Sequence, residues 1–130
     1  MSIKDLEEKM KDELLKKFNL AKWRYLTRPD GGYIYQGDIY LSYSGLESLE
    51  EFALLDIQEV DGYFTCNGNF LKSLKGCPKK IRWSFNFSDN FITSLEGAPE
   101  EVDGHIFFGG NPKKFQKRTI KKFIKTKLFN

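Results

Sequence analysis

Few residues in the chain carry groups suited to covalent or acid–base chemistry. There are two cysteines, Cys66 and Cys77, and one histidine, His105. A thiol activated by an imidazole needs both groups on the same side of the backbone, within hydrogen-bond reach. Cys66 falls in an alternating apolar series, whereas His105 falls between apolar neighbours, so the two are expected on opposite faces of a strand. Cys66 is then small apolar filler. Cys77 sits in a turn-forming stretch and is expected to pack there. The cysteine and histidine spacings fit no metal site, and no phosphate-loop, dinucleotide or zinc motif occurs. Glu100, Glu101 and Asp103 form an acidic cluster expected to be solvated surface. No catalytic residue, cofactor or metal ligand is assigned, and a non-enzymatic role is expected.

The charges that remain are segregated. The net charge of +3 divides into +2 over residues 1–36, −7 over 37–112 and +8 over 113–130. An acidic middle followed by a basic end bears on partners or self-contact rather than on fold. Hydrophobic residues make up 40% of the 130 residues, enough for one packed domain. No apolar run is long enough to cross a bilayer. The charged start, Met1 to Glu8, has no apolar secretory core, so a cytoplasmic protein with free thiols is expected.

The organising feature is a repeat. Ser-Leu recurs at Ser48-Leu49, Ser73-Leu74 and Ser94-Leu95. Behind each marker lie aligned units beginning at Gly37, Gly62 and Trp83, and Gly104 opens a fourth that breaks off. The last two intervals are 21 residues and the first is 25. The connectors match as well: Gly76 and Pro78 recur as Gly97 and Pro99, so the same turn is made twice. Period-2 pairs (Ile39 and Leu41, Phe64 and Cys66, Phe85 and Phe87, Ile106 and Phe108) mark the inward face of one short strand per unit. Leu46, Leu71 and Ile92, with Leu49, Leu74 and Leu95, supply more core from the returning chain. Asn69, Asn90 and Asn111 recur where each strand ends, where a buried amide can satisfy backbone groups that the turn leaves unpaired.

This pattern resembles the leucine-rich-repeat superfamily, and more narrowly the short 21-residue repeat type often encoded by tailed bacteriophages. The resemblance covers residues 37–112. It departs from the pattern at Ser44 in place of the first asparagine, at Trp83 in place of a leading glycine and at Lys113 in place of a leucine. It implies an α+β fold: a short curved parallel β-solenoid of about four units, closed at each end. Residues 1–36 are expected to form a helix and β-hairpin cap, and residues 113–130 a basic amphipathic helical cap.

At the N-terminal end, Ser2 and Asp5 form a capping-box pattern. Ile3, Leu6, Met10, Leu14 and Phe18 follow at helical spacing, with Glu7–Lys11, Asp12–Lys16 and Glu13–Lys17 as ion pairs. A helix over 3–18 is predicted, followed by a hairpin turning at Arg28–Gly32. At the C-terminal end a helix over Thr119–Phe129 is predicted. Phe115, Ile120, Phe123, Ile124 and Leu128 would line one face, and Lys117, Arg118, Lys121, Lys122 and Lys125 the other.

Two binding surfaces follow. If Phe64 and Cys66 point in, the outward ladder is Asp38, Tyr40, Ser42, Tyr63, Thr65, Asn67, Ser84, Asn86, Ser88, His105, Phe107 and Gly109. That face is the usual contact surface of repeat proteins, and its aromatics suit binding hot spots. Four strands of five residues give roughly 320 Å2, below the about 800 Å2 per partner of stable complexes, so a tight partner must also touch a loop edge or cap. A protein partner is therefore expected, and the resemblance implies a host or phage protein, bound or inhibited by the chain. The alternative is nucleic acid held by the basic C-terminal set, with Phe115 and Phe129 placed to stack on bases. Membrane contact is not expected.

Overall fold

The computed structural model describes residues 1–126 and has a mixed α+β fold with two parallel sheets. Helix α1 (Ile3–Lys17) starts with the predicted capping box: the Asp5 N–H donates to Ser2 Oγ at 3.1 Å, and the Ser2 N–H donates to Asp5 Oδ2 at 3.3 Å. A single 3-10 turn (Lys22–Arg24) leads into the antiparallel hairpin of β1 (Tyr25–Thr27) and β2 (Tyr33–Tyr35), as the turn chemistry predicted.

From there the chain alternates between the sheets. One sheet contains β3 (Ile39–Tyr40), β5 (Phe64–Thr65), β7 (Phe85–Asn86) and β9 (Ile106–Phe107), all parallel and in that order. Its register pairs Ile39 with Phe64, Phe64 with Phe85 and Phe85 with Ile106, which is the alignment of the sequence units. The other sheet runs β1, β2, β4 (Ile57–Val60), β6 (Lys80–Ile81), β8 (Glu101–Val102) and β10 (Lys125–Thr126), parallel from β2 onward. One strand per unit was expected; each unit contributes two. Three-residue turns join them, so Val60, Ile81 and Val102 face Phe64, Phe85 and Ile106 across one continuous core, all at 0% exposure.

The returning chain is set by repeated features. Gly76 (φ 98°) and Gly97 (φ 83°) take a left-handed turn in which a Cβ would sit 2.6 Å from Leu49 O or 2.4 Å from Lys75 N, so consecutive turns stack only with glycine there. The longer first interval holds the short helix α2 (Glu50–Ala53), which buries Phe52 beside Leu49 and Leu55. Phe52 meets Phe18 edge-on at 5.6 Å, and α1 thereby covers one end of the core through Leu14, Leu15 and Phe18.

Several expectations are corrected at the two ends. Every residue from Met1 to Met10 is exposed, so Ile3, Leu6 and Met10 form an open stripe and not part of the cap. None of the three expected i,i+4 pairs closes to 4 Å among the described residues. Lys17 instead reaches Glu51 at 2.6 Å, Lys22 reaches Glu8 and Asp12, and Lys11 lies over the rings of Tyr25 and Tyr33. The C-terminal helix α3 is shorter than predicted (Lys117–Phe123). Ile124 leaves helical geometry (φ −126°, ψ 122°), and β10 then pairs with β8. Ile120 and Ile124 are buried, but Phe123 is 55% exposed. Leu128 and Phe129 lie outside the described residues.

Candidate functional site

The two sheets present very different outer faces. On the six-stranded sheet, the outward positions in register are Glu59, Lys80, Glu101 and Lys125, a ladder of alternating sign. Lys80 Nζ meets Glu101 Oε2 at 2.8 Å, Lys125 lies 3.7 Å from Glu101, and Arg82 Nε lies 3.5 Å from Glu59. The Lys80 partner holds the Glu101 carboxyl below its ordinary range. This face satisfies its own charges. A cleft of about 590 Å3 opens beside it, lined by acids and bases together, among them Arg28, Asp56, Lys79 and Glu100.

The four-stranded sheet carries the predicted outward ladder, and its strand register brings those residues together. Asp38, Tyr40, Tyr63 and Phe107 are exposed. Ser42, Thr65, Asn67, Ser84, Asn86, Ser88 and His105 are half-buried between them. Ser42 Oγ lies 3.0 Å from Thr65 Oγ1 and donates to Asn67 Oδ1 at 2.6 Å, and Ser88 Oγ donates to Asn86 Oδ1 at 2.6 Å. The His105 N–H donates to Ser84 Oγ at 3.2 Å, and its ring lies 6.4 Å from that of Phe107. The ladder therefore combines a fixed hydroxyl–amide grid with projecting rings and a single formal charge, Asp38. That carboxylate accepts from the Tyr63 N–H at 2.8 Å and from the Tyr40 hydroxyl at 3.0 Å, which holds the Tyr40 hydroxyl above its ordinary range.

Cys66 is fully buried, and burial pushes its thiol up to about 12. Burial raises Cys77 as well, and both cysteines are free. Among the described residues no group of three potential metal ligands forms, and no helix is long and apolar enough to cross a membrane.

The basic set is brought together only in part. Lys117, Arg118, Lys121 and Lys122 share α3, but Lys125 belongs to β10 and contacts Glu101. Lys113, Lys114, Lys117, Arg118 and Lys122 make no ion pair with any described residue.

Two aromatic features lie outside the predicted ladder. Trp83, 56% exposed, occupies the leading-glycine position of its unit and packs 6.0 Å from the ring of Tyr63. Its signal in the sequence is a large ring where the neighbouring units have glycine. Phe70 and Phe91 stack at 6.2 Å on the loop edge, both exposed. Their signal is an apolar residue directly after the repeated asparagine in both units. No family model, curated protein or solved structure matches the chain.

Proposed function

We propose that the chain is a small leucine-rich-repeat solenoid of the 21-residue type, acting without catalysis as a protein-binding module. Its partner is a host or phage protein of the bacterial cytoplasm, which it binds or inhibits. The observation that carries this is the contrast between the two outer faces: one neutralises its own charges, while the other projects Tyr40, Tyr63 and Phe107 from a fixed polar grid. Exposed aromatics on a rigid sheet supply contact area at low entropic cost, and such rings dominate binding hot spots. The solenoid assignment is supported by the in-register parallel ladders and the repeated buried asparagines.

The test is retention of proteins from nuclease-treated bacterial lysate on the immobilised chain, compared with the Tyr40→Ala/Tyr63→Ala/Phe107→Ala variant. A protein held by the parent and lost by the variant, with the far-ultraviolet circular dichroism spectrum preserved, supports this face. Equal retention by both excludes it.

A second role, nucleic-acid binding, is favoured by the cations Lys113, Lys114, Lys117, Arg118 and Lys122, which make no ion pair with any described residue. Phosphate contacts make affinity fall steeply with salt. Charge reversal at Lys117, Arg118, Lys121 and Lys122 then abolishes binding, and a salt-insensitive complex excludes this role.

A further inference from the structure

The four-stranded sheet's outer face has one corner where rings and charge converge. Tyr40, Tyr63 and Trp83 are 62%, 41% and 56% exposed. The Tyr63 and Trp83 rings lie 6.0 Å apart and 40° from parallel. Asp38 is pinned between the two tyrosines, with Oδ1 accepting from the Tyr63 N–H and Oδ2 from the Tyr40 hydroxyl. Each carboxylate oxygen keeps further acceptor capacity. Exposed Asp61 and Asp103 lie on the same row of turns, and Arg82 between them is drawn to Glu59 on the other sheet.

We infer that the Asp38 carboxylate with Tyr40 and Tyr63 beside it, and Trp83 packed against the far side of Tyr63, form a seat for a guanidinium side chain of the partner. The inference rests on the reading of this sheet as the partner-facing surface and names the chemistry it takes. Ring faces attract a cation through their quadrupole, most strongly that of tryptophan. A planar guanidinium stacks on a ring while its edge donates to a carboxylate, which an ammonium does less well. The chain makes one guanidinium–ring contact within itself, with the Arg24 guanidinium carbon 4.2 Å from the Trp23 ring centroid. Among the described residues Asp38 makes no ion pair, so its carboxylate is open to a cationic ligand.

The test is a nuclear magnetic resonance titration of the isotope-labelled full chain. The probe is the blocked peptide Gly-Ser-Arg-Ser-Gly, compared with the same peptide carrying citrulline, the neutral isostere of arginine. The arginine peptide is expected to bind about tenfold more tightly, a difference of the size that cation–ring and carboxylate contacts provide. Its shifts should concentrate on the Trp83 indole and the Tyr40 and Tyr63 amides. Asp38→Asn keeps an acceptor for the Tyr63 N–H and removes the charge, so it should abolish the preference with the spectrum otherwise intact. Equal binding of both peptides overturns the seat, as do arginine-specific shifts confined to the Glu100–Glu101 loop or an undiminished preference in Asp38→Asn. If the seat fails here while the triple alanine variant still loses its lysate protein, the docking face stands and only its cationic ligand is wrong.

Discussion

Replacing Asn90 with alanine tests what holds the returning chain in place. Asn90 is 3% exposed; its Oδ1 accepts from the Leu71 N–H at 3.1 Å, and its Nδ2 donates to Cys66 O at 3.0 Å and Phe87 O at 3.1 Å. Nδ2 also lies 3.2 Å from Ser88 O, which keeps the Gly68 N–H, and the loss is smaller than that of four independent bonds because the carbonyls are shared. Cys66 O also accepts from Asn69 Nδ2 at 3.0 Å, and Phe87 O from Asn111 Nδ2 at 3.2 Å. Only the Leu71 N–H, on a fully buried residue, is left without a partner, at a cost of about 1–3 kcal/mol. Each carbonyl loses one of two donors, roughly 0.5 kcal/mol apiece. The sum is about 3 kcal/mol, or a drop of about 10 °C in Tm for a chain of this length. Urea unfolding followed by circular dichroism measures it, with an unchanged slope showing that the same surface is exposed. Asn86→Ala is the control, since the Asn86 side chain bonds only to Ser88 at the half-buried surface and water can replace it. Its expected cost is under about 1 kcal/mol. If Asn90→Ala costs no more than Asn86→Ala, the shared-carbonyl ladder does not hold the turns and the reasoning fails.

Two further predictions concern the cap and the buried thiol. Leu15, 4% exposed, should cost about 2–5 kcal/mol when cut to alanine, whereas Leu6, 53% exposed, should cost under about 0.5 kcal/mol; equal costs in urea would mean that the first half of α1 is packed after all. Because the thiolate is the reactive form, Cys66 should resist iodoacetamide at pH 8 until the chain unfolds, and alkylation mapped to Cys66 rather than to the half-buried Cys77 in the folded protein would contradict its burial. Its pKa is raised on folding from 9.0 to about 12. Between those values the unfolded chain releases a proton that the folded chain keeps, so this contribution to stability is constant below pH 9.0 and falls as pH rises toward about 12. The alkaline fall should be shallower in Cys66→Ala.

The four-stranded sheet was legible because each strand and its continuation place two apolar residues at period 2, as Phe85 and Phe87 do. The second sheet was not, for a physical reason. Its strands Lys80–Ile81 and Glu101–Val102 offer one inward residue each, and a two-residue strand has no period to detect. Only the matching offsets of Ile81 and Val102 marked them. At the C-terminal end, Ile120, Phe123 and Ile124 fit helical spacing, yet Ile124 is buried just as completely in extended geometry. The edge of β8 decides between the two, because β10 gains ladder hydrogen bonds there and sets Lys125 beside Glu101. At the other end, helical spacing located α1 but carried no information on how far the core extends beneath it, so Ile3, Leu6 and Met10 were assigned to the cap.

The same logic separates positions set by the fold from positions left open by it. Inward positions answer to the stack: Phe64, Phe85 and Ile106 vary only in size, and the asparagines do not vary after the first unit. Outward positions on the six-stranded sheet alternate in charge, which pairs neighbouring strands and discourages a second sheet from docking on that face. The outward positions of the four-stranded sheet carry no such charge ladder, and beside the bonded Asp38, Ser42, Thr65, Asn67 and Ser84 its rings project freely. There Tyr40, Thr65, Asn86 and Phe107 share one register line and have little else in common. A side chain that neither the core nor its cross-strand neighbours demand is free to be chosen by what it meets outside. Trp83 carries the point furthest, since it stands at a turn position where glycine would suffice and is 56% exposed. Tyr40 and Trp83 are accordingly the residues whose replacement should alter binding most while leaving stability nearly unchanged, whereas Asp38 also holds the Tyr63 N–H across the strands.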